Sequence, residues 1–111
     1  MQNQKVTIGD KIPSFELPNQ NGELVSSEMF IGKPFVVYFY PKDDTPGCTA
    51  EACSFRDQYE DFRDIGAEVI GISADSPKSH KQFAEKHNLP FILLSDRSNR
   101  LRKQFGVPKS F

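Results

Sequence analysis

Residues 34–56 read PFVVYFYPKDDTPGCTAEACSFR. The stretch starts as a continuous apolar, β-branched and aromatic run, Pro34 to Tyr40, which is how a strand buried on both faces reads. It ends as a helical pattern. From Pro46 to about Ile65 the apolar residues Ala52, Phe55, Tyr59, Phe62 and Ile65 recur at three- and four-residue steps, the mark of an amphipathic helix. Between the two lies the turn PKDDT, and both cysteines of the chain, Cys48 and Cys53, come just after it. A buried-type strand running into an amphipathic helix predicts an α/β fold.

The same alternation continues in both directions. Gly66 is placed to end the first helix. EVIGIS (Glu68 to Ser73) is a second buried-type strand. In DSPKSHKQFAEKHN, Asp75 or Ser76 is a fit N-cap and Pro77 a fit first helical residue, which predicts a second helix. FILLS (Phe91 to Ser95) is a third strand, and NRLRKQFGV predicts a short last helix ending at Gly106. Upstream, Phe15–Leu17 and Leu24–Ser26 read as short strands around NQNG, where Asn21-Gly22 signals a hairpin. The expected architecture is an N-terminal hairpin and a partly parallel central sheet flanked by helices, in one domain over residues 1–111. Sites in such sheets lie at the carboxyl ends of the strands, which is where Cys48 falls.

Composition narrows the function. The 111 residues carry 14 basic and 15 acidic side chains, for a net charge of −1, with no basic block, so nothing predicts a nucleic-acid partner. The longest apolar run, Phe35 to Tyr40, is far too short to cross a bilayer. The N-terminal MQNQKVTIGDK shows no apolar core of a secretory leader. Two cysteines are too few for a disulfide scaffold, so a reducing, cytoplasmic setting is expected and any thiol chemistry would be transient.

A thiol acts as a nucleophile only as thiolate, and its ordinary pKa leaves only a small fraction ionised at neutral pH. The first turn of a helix favours that anion through unpaired N–H groups and the positive dipole end. TPGC puts Thr45 near the N-cap, Pro46 near the first helical position and Cys48 in the first turn. The Thr45 hydroxyl can donate to a thiolate or to a bound oxygen. A plainer reading stands beside this one, in which Thr45 only caps the helix and Cys48 is a small buried hydrophobe. Within an intact helix, residues five apart are separated by about 7.5 Å along the axis and roughly 140° around it. A disulfide needs Cα atoms within about 7 Å and side chains aimed at each other. Cys48 and Cys53 can therefore bridge only if the first turns unwind. A switchable bridge that follows oxidation of Cys48 fits this geometry, while Cys53 as a core thiol near Ala52 and Phe55 is the alternative.

Other polar residues suggest less. His80 and His87 lie seven apart on the second helix; a zinc site needs about four matched ligands, so solvated histidines are expected. Asp43 and Asp44 are adjacent in a loop and read as turn-forming, solubilising residues. Glu51, three residues past Cys48, would oppose thiolate formation. RDQYEDFRD reads as a solvated helix face.

PKDDTPGC has the form Pro-x-x-x-Thr-x-x-Cys directly after a strand, which resembles the peroxiredoxins. The longer YFYPKDDTPGCTAEACSFRD, with its second cysteine five residues after the first, is similar to the bacterioferritin-comigratory-protein (PrxQ-like) subgroup. The likeness runs from GDKIPSFELPNQNG through VIGISADSPKSHKQFAEKHNLPFILLSD to FGV. The resemblance implies a thioredoxin-like fold and a thiol-dependent peroxidase that reduces hydrogen peroxide and organic hydroperoxides without a metal or organic cofactor. In it, Cys48 is the peroxidatic cysteine and Cys53 the resolving cysteine, joined in an intramolecular disulfide that thioredoxin or a similar dithiol reduces. Thr45 hydrogen-bonds the peroxide and Pro41 shields the sulfur. The subgroup implies a monomer, placed in the cytoplasm or, after removal of a transit peptide, in an organelle stroma. The family pattern continues with a strand bearing an arginine, a further strand pair and a C-terminal helix. None of Arg56, Arg63, Arg97, Arg100 and Arg102 matches that arginine, and Arg56 reads as a surface or ion-pair residue. The expectation is a truncated form of a longer protein. The competing function is a non-catalytic redox-sensing or binding module. A thioredoxin-type oxidoreductase fits less well, because such enzymes use C-x-x-C.

Overall fold

A computed structural model of the chain describes residues 9–108. The N-terminal segment read above for a leader lies mostly outside them. The described elements, in chain order, are β1 (Glu16–Pro18), β2 (Leu24–Ser26), a 3-10 turn (Ser27–Phe30), β3 (Phe35–Phe39), α1 (Pro46–Asp57), α2 (Tyr59–Asp64), β4 (Glu68–Ser73), α3 (Pro77–His87), β5 (Ile92–Ser95) and α4 (Arg100–Gln104).

β1 and β2 form the expected antiparallel hairpin, with Leu17 opposite Val25. Its loop is closed by Asn19, whose side chain accepts from the Asn21 and Glu23 amides, and Gly22 supplies the left-handed residue at φ +80°. β3, β4 and β5 form a wholly parallel sheet in that order, with Val37 opposite Ile70 and Ile70 opposite Ile92. The hairpin meets this sheet at one antiparallel bridge, Asn19 to Leu94. Parallel strands need crossovers, and α1–α2 and α3 provide them.

The sheet separates two cores. On one face, Tyr38, Val69 and Leu93 pack with Cys48 and Ala52 of α1, Phe83 and Ala84 of α3, and Phe91. On the other, Ile70, Ile72 and Leu94 pack with Phe15, Val25 and Phe30 from the hairpin side and Leu101 of α4. Period-two alternation along each strand assigns neighbouring residues to opposite faces. At Gly71 the absence of a side chain makes room for Tyr38: a Cβ there would lie 2.8 Å from the Tyr38 Cζ and Oη atoms. The helix starts follow the sequence. Ser76 is the N-cap of α3 and accepts from the Ser79 amide, with Pro77 in the first turn. Gly66 and Gly106 take left-handed conformations after α2 and α4.

Three expectations need correction. β3 is not buried on both faces; only Tyr38 of its five residues is buried. Among the described residues β3 has β4 as its one strand neighbour, so its other edge is uncovered. The single helix expected over 46–65 is two, broken at Gln58, whose amide is shared between the Ser54 and Phe55 carbonyls. The second piece is held to β4 by Tyr59, which donates to Glu68 Oε1 at 3.1 Å. Ile65, counted on the apolar face, is 71% exposed because α2 ends before it. Among the described residues no helix is long and apolar enough to cross a membrane.

Candidate active site

The chain leaves β3 at Phe39, passes through the loop 40–45 and enters α1 at Pro46, so Pro41, Thr45 and Cys48 all lie in the segment that follows the carboxyl end of β3. Thr45 is the N-cap residue of α1 by backbone conformation, and Pro46 sits in the first turn. Thr45 makes no side-chain cap bond; its hydroxyl instead donates to the Lys42 carbonyl at 3.1 Å. The plain capping role for Thr45 therefore fails. The first turn of α1 contains no acidic residue, so its positive end is not offset from within. Cys48 lies in that turn and is buried, packed in the core on the helix side of the sheet. Pro41, seven residues earlier, is exposed.

Cys53 is half-buried on the same unbroken helix, and both thiols are free. The helix spacing that forbids a bridge is thus present in the structure. The C-terminal half of α1 is firmly tied. Phe55 stacks on Tyr38 with ring centroids 4.5 Å apart, and Arg56 donates from Nη1 to the His87 carbonyl at 2.8 Å while pairing with Asp57. The ion-pair reading of Arg56 holds. Arg102 lies at this end of the sheet. It is buried and lines, with Pro41, Ser73 and Asp96, a cavity of about 180 Å³ at the carboxyl ends of β3 and β4. Its guanidinium donates to Asn99 Oδ1 and to the Val107 carbonyl.

The loop is fastened by Asp43 and His80, both expected in solvent. Asp43, expected at the surface, is buried, and so is His80, expected in solvent. Tyr40 donates to Asp43 Oδ1 at 2.6 Å, and Ser79 donates to Asp43 Oδ2 at 2.8 Å. His80 Nδ1 lies 2.7 Å from Asp43 Oδ2, and His80 Nε2 lies 3.0 Å from the Leu94 carbonyl. The Asp43 amide donates to Asp75 Oδ2 at 2.8 Å, and that oxygen also accepts from Ser73 at 2.7 Å. Burial and the Asp43 charge push Tyr40 far above the ordinary phenol range, so it stays protonated and donates. Asp44 points the other way, at φ +60°, and its exposed carboxylate meets Lys86 at 2.8 Å and His87 at 3.3 Å. Those hydrogen bonds hold Asp44 below the usual carboxylate range. His87 thus belongs to a surface pair, while His80 belongs to the core. No local signal in the sequence separates the two, since both belong to the stripe His80, Phe83, Ala84, His87 at helical spacing.

Asp43, Asp75 and His80 each bring one potential metal-ligand atom within 4.8 Å of the others. In each case the atom nearest its neighbours is already engaged by a proton donor or acceptor of the cluster. Three donors so saturated fit a hydrogen-bond network better than the four-ligand sphere of a structural metal.

Buried aromatic groups surround the cysteines. Burial, with the nearby Glu51, Asp43, Cys48 and Cys53, pushes the Tyr38 phenol well above its ordinary range. The hydroxyl is buried without a hydrogen-bond partner. Glu51 is raised as well, by partial desolvation.

Comparison with known proteins gives a consistent picture. A family model described as AhpC/TSA family matches residues 8–110. A chloroplastic peroxiredoxin Q of Populus jackii is 60% identical over 104 residues, which is 94% of this chain and 49% of the relative. Among solved structures, peroxidoxin BcpB of Mycobacterium tuberculosis superposes with a TM-score of 0.84 at 40% identity, covering 88% of this chain and 64% of that one. A Xanthomonas campestris bacterioferritin comigratory protein, described for its alkyl peroxide reduction activity, gives 0.81 at 38% identity over 84% of this chain and 59% of its own. The fold is thus the thioredoxin-like one expected, and the chain spans about half the length of the curated relatives it matches.

Proposed function

The chain belongs to the AhpC/TSA family, the peroxiredoxins, and stands with their peroxiredoxin Q group; from that premise we propose that it carries the thiol site of a hydroperoxide-reducing enzyme. The observation that carries the reading is the placement of Cys48 in an uncapped helical first turn at the end of a parallel strand, with Cys53 five residues on. In this reading the Cys48 thiolate attacks one oxygen of the hydroperoxide. The O–O bond breaks, the leaving oxygen takes a proton and departs as water or an alcohol, and Cys48 becomes a sulfenic acid. The Cys53 thiolate then attacks the Cys48 sulfur, the sulfenic oxygen leaves as water, and a Cys48–Cys53 disulfide forms. A dithiol such as thioredoxin reduces it by exchange, becoming a disulfide itself.

Pro41 would keep solvent from the Cys48 sulfur. Thr45 would turn its hydroxyl from the Lys42 carbonyl toward the bound peroxide. No residue among Arg56, Arg63, Arg97, Arg100 and Arg102 takes the role of the family's arginine. The disulfide requires the first turns of α1 to open. The Phe55 stack on Tyr38 and the Arg56 bond to His87 would hold the helix from Phe55 onward, so opening is confined to residues 46–54. The chloroplastic relatives support the organelle-stroma location over the cytoplasmic one. That the described residues belong to one thioredoxin-like domain acting as a monomer is part of the same proposal.

The test is direct. Reduced protein is mixed with stoichiometric hydrogen peroxide and Cys48 is followed with a sulfenic-acid probe. The protein should react far faster than free cysteine, Cys48→Ser should abolish the signal, and Cys53→Ser should accumulate sulfenic or over-oxidised Cys48. Equal rates for protein and free thiol would leave only a redox-sensing or binding module.

A further inference from the structure

We propose that the buried Asp43–His80 pair is the fastening that sets the loop 41–45, and through it Thr45 and Cys48, in their working arrangement. What that arrangement is for rests on the peroxidase reading; the fastening itself does not. Hydrogen bonding defines the pair. A carbonyl only accepts, so His80 Nε2, 3.0 Å from the Leu94 carbonyl, carries a hydrogen. The Tyr40 and Ser79 hydroxyls donate to the two Asp43 oxygens. His80 Nδ1 lies 2.7 Å from Asp43 Oδ2 and shares one hydrogen with it, and it lies 3.3 Å from the Tyr40 hydroxyl. Both side chains are almost wholly buried.

Such a network is a poor way to gain stability, since well-packed apolar side chains do as well, and a costly one to break, since a buried polar group is left without its partner. Its use here is directional. Residues 41–44 lie in neither a strand nor a helix, and Asp44 takes a left-handed conformation. Asp43 is gripped from three elements: Tyr40 at the end of β3, Ser79 and His80 on α3, and the Leu94 carbonyl of β5 through the ring. Its amide is held as well by Asp75, beyond β4. Thr45 follows two residues later and Cys48 three after that. His80 is thus a positioning residue, acting on the thiol through the loop and not by contact with peroxide.

Two substitutions separate positioning from bulk structure. In His80→Asn the amide nitrogen replaces Nδ1 and keeps the bond to Asp43. In His80→Gln it replaces Nε2, keeps the bond to Leu94 and abandons Asp43. On the 111-residue chain and each variant, two quantities are measured. One is amide hydrogen exchange across residues 41–48. The other is the rate constant of Cys48 with hydrogen peroxide divided by that with iodoacetamide, a ratio insensitive to the fraction of thiolate. His80→Gln should speed exchange and lower the ratio on the order of 10- to 100-fold, the scale of loss from slight misplacement of a reacting group. His80→Asn should keep more of both. Equal effects of Asn and Gln, or effects that follow the melting temperature alone, would overturn the proposal. Tyr40→Phe keeps the ring packing and drops one donor, so it serves if the His80 variants do not fold; exchange at 41–48 should rise several-fold, and no rise overturns the proposal. If the unsubstituted chain reacts with peroxide no faster than free cysteine, the peroxidase reading fails, while the exchange comparison still decides the fastening.

Discussion

Gly47 offers a clean way to weigh the folded first turn of α1 against its opening. It lies between Pro46 and Cys48, within helix α1, and a Cβ built on it meets no atom within 4 Å. Its φ is not in the positive range, so alanine needs no strained backbone. Gly47→Ala should therefore favour the helical turn by about 0.5–1 kcal/mol, chiefly because glycine loses more backbone freedom on ordering. In the proposed cycle the disulfide forms only from the opened turn. Penalising that state by the same amount slows closure of the Cys48–Cys53 bond about 2- to 5-fold, at 1.36 kcal/mol per factor of ten. The sulfenic acid then lives longer, and over-oxidation should set in at a correspondingly lower peroxide concentration. Stopped-flow measurement after a stoichiometric pulse of peroxide separates the two steps: sulfenate formation reports access to Cys48, and the following phase reports closure. Mass spectrometry of the over-oxidised fraction against peroxide dose gives the independent check. A variant that melts higher yet closes its disulfide as fast as the parent would refute the reasoning, because opening of this turn would then not lie on the path.

The other predictions concern the surroundings of the site. Tyr38→Phe removes a buried hydroxyl that has no partner, so it should be neutral or stabilising by up to about 1 kcal/mol in urea unfolding; a clear loss would mean that the hydroxyl is satisfied in solution. Gly71→Ala puts a Cβ 2.8 Å from the Tyr38 ring tip and 2.9 Å from Leu93 Cδ2, and should cost about 1–3 kcal/mol by the same assay; an unchanged midpoint would show that Tyr38 can withdraw. Asp44 is held below the usual carboxylate range by Lys86 first and His87 second, so its contact contributes above the unfolded-state pKa and is lost as pH falls through the lowered folded value. Carboxyl NMR titration should show the Asp44 midpoint climb back in Lys86→Ala, and a midpoint that stays put would remove Lys86 as the cause.

The path from sequence to structure was clearest where one residue pattern has one physical solution. The run Phe35–Phe39 forms a strand, Thr45-Pro46 starts a helix, Ser76-Pro77 starts another, and Asn21-Gly22 closes a hairpin; each is a local preference that the tertiary structure does not oppose. Periodicity overreached where continuation depended on distant contacts. The run from Pro46 to Ile65 keeps helical spacing throughout, yet the helix breaks at Gln58, and Tyr59 is held by Glu68 on a strand that spacing alone cannot see. β3 reads as buried on both faces from its own residues, but burial of a strand is decided by its neighbours, and only one lies beside it among the described residues.

The polar residues depart from expectation for a related reason. A lone aspartate in a PKDDT turn and a lone histidine on a helix are each most simply solvated, and nothing local distinguishes Asp43 from Asp44 or His80 from His87. The structure divides each pair, sending Asp43 and His80 inward to each other and Asp44 and His87 outward to each other. That sorting is a fact about two segments 37 residues apart, legible only when both are placed. It also explains why a loop so near the thiol is polar in sequence and still well fixed. Its order comes from hydrogen bonds supplied by α3 and β5, so in the proposed arrangement the residues that position Cys48 are not confined to the stretch that contains it.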